Sequence, residues 1–219
     1  MGEELINDTP GNSYDLLVLN FPRYKYEEQS KPICKELDGV PQGCHTITIP
    51  FIRDGGVDYI QRNAVVLVEL IKRVNQQLQA NGSNEKIILI SPSMGGLISR
   101  YALKYMEDDP TLDHNCKLWV SFDSPHKGAN IMIGAQEFLD FFGNTMNVEG
   151  ARTALNEQIN SPAAKQMLIH HYSAGAQPAG AANFRQPFVD LMNVTGFPQD
   201  NCLRKVALVN GSKNGTSQP

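Results

Sequence analysis

Residues 86–101, KIILISPSMGGLISRY, leave this chain few ways to fold. Ile87, Ile88, Leu89 and Ile90 form an apolar run with the length and composition of a buried strand. Ser91-Pro92-Ser93-Met94-Gly95 reads as a sharp turn. From Gly96 to Glu107, Leu97, Ile98, Tyr101 and Tyr105 recur at helical spacing. The order is therefore strand, turn, helix, with a serine at the tip. Such a turn suits a nucleophile elbow, in which a strained backbone exposes the hydroxyl above the sheet and the helix N-terminus lies just behind it. Ser93 is the candidate nucleophile. Strand and helix backbones nearly touch at an elbow, so small residues are needed two before and two after the serine, and Ser91 and Gly95 supply them. Ser91 stands where glycine is usual, and Pro92 fixes φ where the strand is ending. The pentapeptide alone fits equally well a serine that merely caps a helix.

Two segments decide between these readings. SMGGLISRYAL at 93–103 and WVSFDSPHKGA at 119–129 resemble the bacterial-type α/β-hydrolase lipases and esterases, especially the branch of GPI-inositol-deacylase-like and lecithin-cholesterol-acyltransferase-like enzymes. The likeness covers about residues 57–130, and it includes GGVDYIQRNA at 55–64, which similar hydrolases place before the elbow strand. It implies an α/β-hydrolase fold, with a mostly parallel central sheet flanked by helices and a helical cap. It further implies a serine-dependent hydrolase of acyl esters that works through an acyl-enzyme and requires no cofactor. The substrate class is a small-molecule or lipid ester.

Along the chain, residues 14–21, YDLLVLNF, form a continuous apolar run expected to be a central strand covered on both faces. Residues 22–50 read as an insertion ending in the alternating HTITIP. Between Val57 and Leu78, Ile60, Ala64, Leu67, Val68, Ile71, Val74 and Leu78 keep a helical period, predicting a helix that packs on the sheet. Residues 117–122 read as a further buried strand, which delivers Asp123 and His126 to the C-terminal edge where ligands bind in such sheets. Residues 130–196 are expected to be a cap or lid. One of its helices carries Ala135, Phe138, Leu139 and Phe142, and another runs from Ser161-Pro162 to His170-His171. Met132, Phe138, Phe141, Phe142, Met146 and Met167 either fill the cap's core or line an acyl slot. Residues 205–210 are the last apolar run. The whole reads as one α/β-hydrolase domain over 1–219.

With 219 residues, 41% hydrophobic composition and a net charge of -4, the chain is long enough for a real core and lacks the basic, aromatic-rich blocks of a nucleic-acid binder. No apolar run approaches the roughly 20 residues of a membrane helix. Residues 1–12 lack the basic and apolar regions of a signal peptide. Four cysteines allow three pairings. Cys34 with Cys44 and Cys116 with Cys202 are favoured, the latter because their strands should be sheet neighbours, and such pairs favour an exported protein over a cytoplasmic one. No CxxC spacing occurs, and Asp54 and Asp58 are not followed by a calcium-loop pattern, so no metal is expected.

A serine hydroxyl needs a histidine to take its proton and a carboxylate to orient that histidine. In the fold that the resemblance implies, the order is Ser, acid, His, and after Asn210 there is no histidine. His126 matches a loop histidine of the family's SPHxGA pattern, and His170 and His171 read as favourable charges at a helix C-terminus. The catalytic histidine is thus not identified in the chain. Asp123 is the candidate acid, with a brace for its own loop as the plainer role. One oxyanion donor is expected from the Met94 N–H. The second is missing if 14–21 is the strand preceding the first helix, and lies at Phe21 or Arg23 if 14–21 is an earlier strand. The resemblance therefore implies a hydrolase domain truncated at both ends, poorly stable alone and inactive on short-chain esters. A non-catalytic module of the same fold, binding a partner or an apolar ligand, is the competing reading.

Overall fold

The computed structural model describes residues 56–175 and 179–210. The chain divides into two units, Met1–Gly56 and Val57–Pro219, and every element below belongs to the second. The expectations for 14–21, for the insertion 22–50 with Cys34 and Cys44, for Phe21 and Arg23, and for the turn beyond Asn210 lie outside the described residues.

Helix α1, Ile60–Ala80, buries Ile60, Ala64, Leu67, Val68 and Ile71 as one stripe and packs along α2. Asp58 accepts from the Tyr59 N–H at 2.7 Å and pairs with Arg62 at 3.1 Å, so its carboxylate braces the helix start. Strand β1, Ile87–Pro92, runs through one residue into α2, Met94–Asp108. Strands β2, Cys116–Phe122, and β3, Arg204–Leu208, complete a parallel sheet of order β1-β2-β3. The register aligns Leu89, Trp119 and Lys205, then Ser91, Ser121 and Ala207, on one face. That face meets α2, where the Trp119 indole N–H donates to Ser99 Oγ at 2.8 Å. On the opposite face Ile88, Ile90, Phe122 and Leu208 are between 39% and 59% exposed. Among the described residues the apolar run 87–90 is thus covered on the Trp119 face, by α2.

Residues 130–196, expected to be a cap or lid, contain helices α3, Ile133–Asp140, α4, Glu149–Ala154, α5, Pro162–Met167, and α6, Arg185–Thr195. Helices α3 and α4 each run on into a π-helical turn, at Phe141–Thr145 and Leu155–Ile159. Helix α5 has the N-terminus that Ser161-Pro162 encodes, with Ser161 Oγ accepting the Ala164 N–H at 3.2 Å. It stops at Met167, short of His170-His171. The chain straightens there because Ala129 pairs beside Leu168, donating to Met167 O and accepting from the Ile169 N–H, both at 2.9 Å. Leu155, Ile159, Ala164 and Leu168 form a core among these helices, with Ala129, Ile131, Leu139 and Tyr172 against it. Gln136, fully buried on α3, donates to Ile131 O and His170 O and accepts the Tyr172 N–H, so its amide is satisfied without water. Met132, Phe138, Phe141 and Met146 are 50–76% exposed and so belong to the surface rather than to the core. The Phe138, Phe141 and Phe142 rings pack on one another at 4.5 and 5.3 Å.

Arg100 ties α6 to α2. Its buried guanidinium donates to Gly196 O at 2.7 Å and to Met192 O at 2.6 Å, the latter also accepting the Gly196 N–H at 3.0 Å, and it stacks on Phe197 with 3.8 Å to the ring centroid. Arg100→Ala removes the side-chain donor from Gly196 O and leaves Met192 O with the Gly196 N–H alone, and the expected loss is about 3 kcal/mol in urea unfolding.

The expected Cys116–Cys202 disulfide is not formed, although β2 and β3 are neighbours as anticipated. Both thiols are free. Cys116 Sγ turns to His114 O at 3.4 Å, and burial, aided by Asp113 and Asp200, pushes the thiol up to about 12. Cys202 is exposed. Export therefore draws no support from this pair. Thiol alkylation of the native protein, mapped by peptide mass, is expected to mark Cys202 and to reach Cys116 only after unfolding.

Candidate functional site

Between the last residue of β1 and the first of α2 stands Ser93 alone, with φ 50° and ψ -127°. A residue with a Cβ pays on the order of 1–3 kcal/mol in such a region and remains there only when its surroundings hold it. Here the Ser93 N–H donates to Phe122 O at 2.8 Å and the Ser93 carbonyl accepts the Gly96 N–H at 3.0 Å. Its side chain makes no capping bond to the helix and is exposed, so plain helix capping does not account for this serine. Ser91 is buried under the turn. Gly95 leaves ordinary room, since an added Cβ would meet Pro92 Cδ and Ser91 Cβ at 3.8 Å. The tight position is the next glycine. A Cβ on Gly96 would lie 2.0 Å from Ser124 Oγ and 2.7 Å from Ser121 Oγ. Met94, the first residue of α2, presents an N–H at a helix N-terminus, where the first amides have no intrahelical acceptor.

Asp123 follows β2 as Ser93 follows β1, and the register Pro92↔Phe122 sets the two at adjacent strand ends. Asp123 also has positive φ, 47°. Its N–H donates to Leu208 O at 2.7 Å, and its exposed carboxylate accepts the Asn210 N–H at 3.3 Å, which turns it toward β3.

The histidines are placed apart from one another. His114 precedes β2, at the end of that strand remote from Ser93, and its Nδ1 accepts the Cys116 N–H at 3.0 Å. A hollow beside it is lined by Lys104, Glu107, Asp113 and Asp200 among others, so it too lies away from the elbow. His126 is bonded through Nε2 to Ser121 Oγ at 2.7 Å, with Nδ1 buried and unpartnered. Burial first, and the Arg100 charge second, hold its imidazole below the ordinary range. His170 Nδ1 is likewise buried without a partner. His171 is 1% exposed. Its Nδ1 accepts the Ser173 N–H and its Nε2 lies 3.2 Å from Ile159 O, and burial lowers its pKa despite the Ile159 carbonyl. The expected helix-end cation is therefore a buried neutral ring beyond the helix. Among the described residues no group of three or more His, Cys, Asp or Glu is arranged to hold a metal, and no helix is long and apolar enough to cross a membrane.

A parallel sheet, a strained serine between strand and helix, and a helical insertion between β2 and β3 define an α/β-hydrolase-like fold. A family model, the PGAP1-like alpha/beta domain, matches residues 55–178, more than half of the chain, and the chain belongs to that family. Of solved structures, the mature form of the Bacillus licheniformis lipase BlEst2 is similar at 16% identity and TM-score 0.41, over 71% of this chain and 49% of that one. Its propeptide form is similar at 17% identity and TM-score 0.39, over 71% and 26%. The chain thus spans about half the length of the mature lipase and about a quarter of the propeptide form. No curated protein matches the chain.

Sequence reasoning missed Gly96, Ser121, Ser124 and Arg100. The Gly95-Gly96 pair was the available signal for the first, and a charged residue on the apolar face of α2 for the last.

His126 and His171 both have lowered folded-state values, so the unfolded chain takes up their protons first as pH falls. Their contribution to stability is present above about 6.5 and is lost as pH falls from there toward the folded values. The urea midpoint is expected to drop between pH 7.5 and pH 5, and to drop less in His171→Gln.

Proposed function

We propose that this protein is a serine-dependent hydrolase of acyl esters, of lipase or carboxylesterase type, with Ser93 as nucleophile. The observation that carries the reading is the exposed Ser93 hydroxyl on a strained backbone, with φ 50° and ψ -127°, at the N-terminus of α2. Strain is retained where the surroundings enforce it, and such positions cluster at active sites. Membership of the PGAP1-like family and its α/β-hydrolase-like fold suggests the same reaction class. Ser93 Oγ attacks the ester carbonyl carbon as its proton passes to a general base. The C–O bond to the alcohol breaks and the alcohol leaves with a proton. Water then cleaves the acyl-enzyme to give the free acid. The Met94 N–H faces the developing oxyanion, and Asp123 is the acid of the triad. The base is not assigned, since His114, His126 and His171 each hold another partner and the unpartnered Nδ1 of His170 is buried. The substrate is a small-molecule or lipid ester, and the reaction needs no cofactor. The α/β-hydrolase domain carries residues 130–196 as its cap.

A second reading, a non-catalytic module of this fold that binds a partner or an apolar ligand, is favoured by that same engagement of the histidines and by Ser91 in place of glycine. A fluorophosphonate probe applied to the protein and to Ser93→Ala separates the two. The expected result is labelling of the wild type alone. Equal labelling of both proteins removes Ser93 as nucleophile, and labelling of neither favours the binding module.

A further inference from the structure

We infer that His126 is a positioning residue for Ser93, acting through Ser121 on the first turn of α2. The inference rests on the serine-hydrolase reading and gives this histidine a task other than proton transfer. His126 stands three residues after Asp123 in the loop leaving β2, and its imidazole is joined through Nε2 to Ser121 Oγ at 2.7 Å. Ser121 Oγ is in turn one of the atoms that close on Gly96, 2.7 Å from where a Cβ would stand. The Gly96 N–H donates to the carbonyl of Ser93 itself. A line of contacts thus runs from the imidazole to the strained residue in three steps.

A second line ends at the same glycine. The His126 ring meets Trp119 edge-on at 6.1 Å, the Trp119 indole N–H donates to Ser99 Oγ, and the Ser99 hydroxyl donates to Gly96 O at 3.2 Å. Phe197 meets the ring edge-on at 5.4 Å next to Trp119, whose ring is 6.4 Å away, and lies itself beneath the Arg100 guanidinium. The loop is also held further on, where Arg185 donates to Lys127 O at 2.8 Å. The imidazole is therefore held against two neighbouring aromatic rings and committed at Nε2, while Nδ1 is buried with no partner. A general base must present a free nitrogen to the serine hydroxyl, and the one nitrogen of this ring without a partner is buried, whereas Ser93 is exposed. A strut needs one directed bond and a fixed ring, and both are present.

The test is the rate of fluorophosphonate acylation of Ser93, normalised to the titratable fraction so that loss of folded protein does not count as loss of rate. His126→Ala and Ser121→Ala are each expected to slow acylation about 10- to 100-fold, the cost of a displacement of about 1 Å in a reacting group, and the double variant to be no slower than either. His126→Gln, which keeps a hydrogen-bonding group but cannot act as a base, is expected to recover most of the rate. Loss of acylation in a folded His126→Gln variant would make the ring the base. A wild-type rate in His126→Ala, or additive losses in the double variant, would remove the coupling through Ser121. If His126→Ala does not fold, Ser121→Ala and His126→Gln carry the same comparison. Equal labelling of wild type and Ser93→Ala would overturn the serine reading and not the strut. That would still be read from the imidazole nitrogen resonances of His126, which Ser121→Ala is expected to shift and which, unmoved, would overturn it.

Discussion

The seam between α2 and the end of β2 governs the rest of the structure. Helix α2 begins one residue after β1 ends, so the two cannot be separated by a linker that absorbs misfit. Gly96 meets Ser121 and Ser124 at distances that leave no room for a methyl group. Overpacking such a contact costs about 1–3 kcal/mol, comparable to the backbone strain at Ser93. Contact and strain therefore belong together. The helix can lie this close to the sheet only if the turn between them is sharp, and a turn of one residue forces Ser93 to positive φ.

Residues 130–196 are joined to one another and to the neighbouring elements by side chains reaching main-chain groups. Arg100 holds the end of α6, Arg185 reaches Gln166 O and Lys127 O, and Gln136 joins α3 to the segment after α5. The α1 N-terminus is caught in the same way, the Ile60 N–H donating to Gln166 Oε1 at 2.8 Å. Such bonds fix orientation as well as proximity, because a guanidinium or amide meets carbonyls in few geometries. The loop 123–129 is held from both β2 and α6, through Ser121 to His126 and through Arg185 to Lys127 O. Any proposal for Asp123 or His126 is therefore one about a rigid loop.

The elements legible in the sequence were those written by a short-range period. The helices now seen as α1 and α2, the strands at 87–92, 116–122 and 204–208, and the serine-proline start of α5 follow from residues within one or two turns of each other. The end of α5 was not legible, because it is set by Ala129, some forty residues earlier, pairing beside Leu168. The cysteines failed for a similar reason. Adjacent strands were correctly inferred, yet which way Cys116 Sγ turns depends on His114 and on burial rather than on strand order. At the site, the serine on its turn was visible because the elbow is local in sequence. Its supports at Ser121, Ser124 and His126 were not, since nothing in their spacing says that they converge on Gly96.

The contact between Gly96 and Ser124 also has a historical side. Each residue is small because the other is near, so neither can drift alone: a larger side chain at 124 finds glycine's place already taken by main chain, and a methyl at 96 finds a hydroxyl in its way. The pair can change only by a joint substitution or by a shift of the whole helix, and that shift would carry Ser93 with it. Relatives that keep the serine on this turn are accordingly expected to vary little at these two positions, and where they do vary, to vary at both.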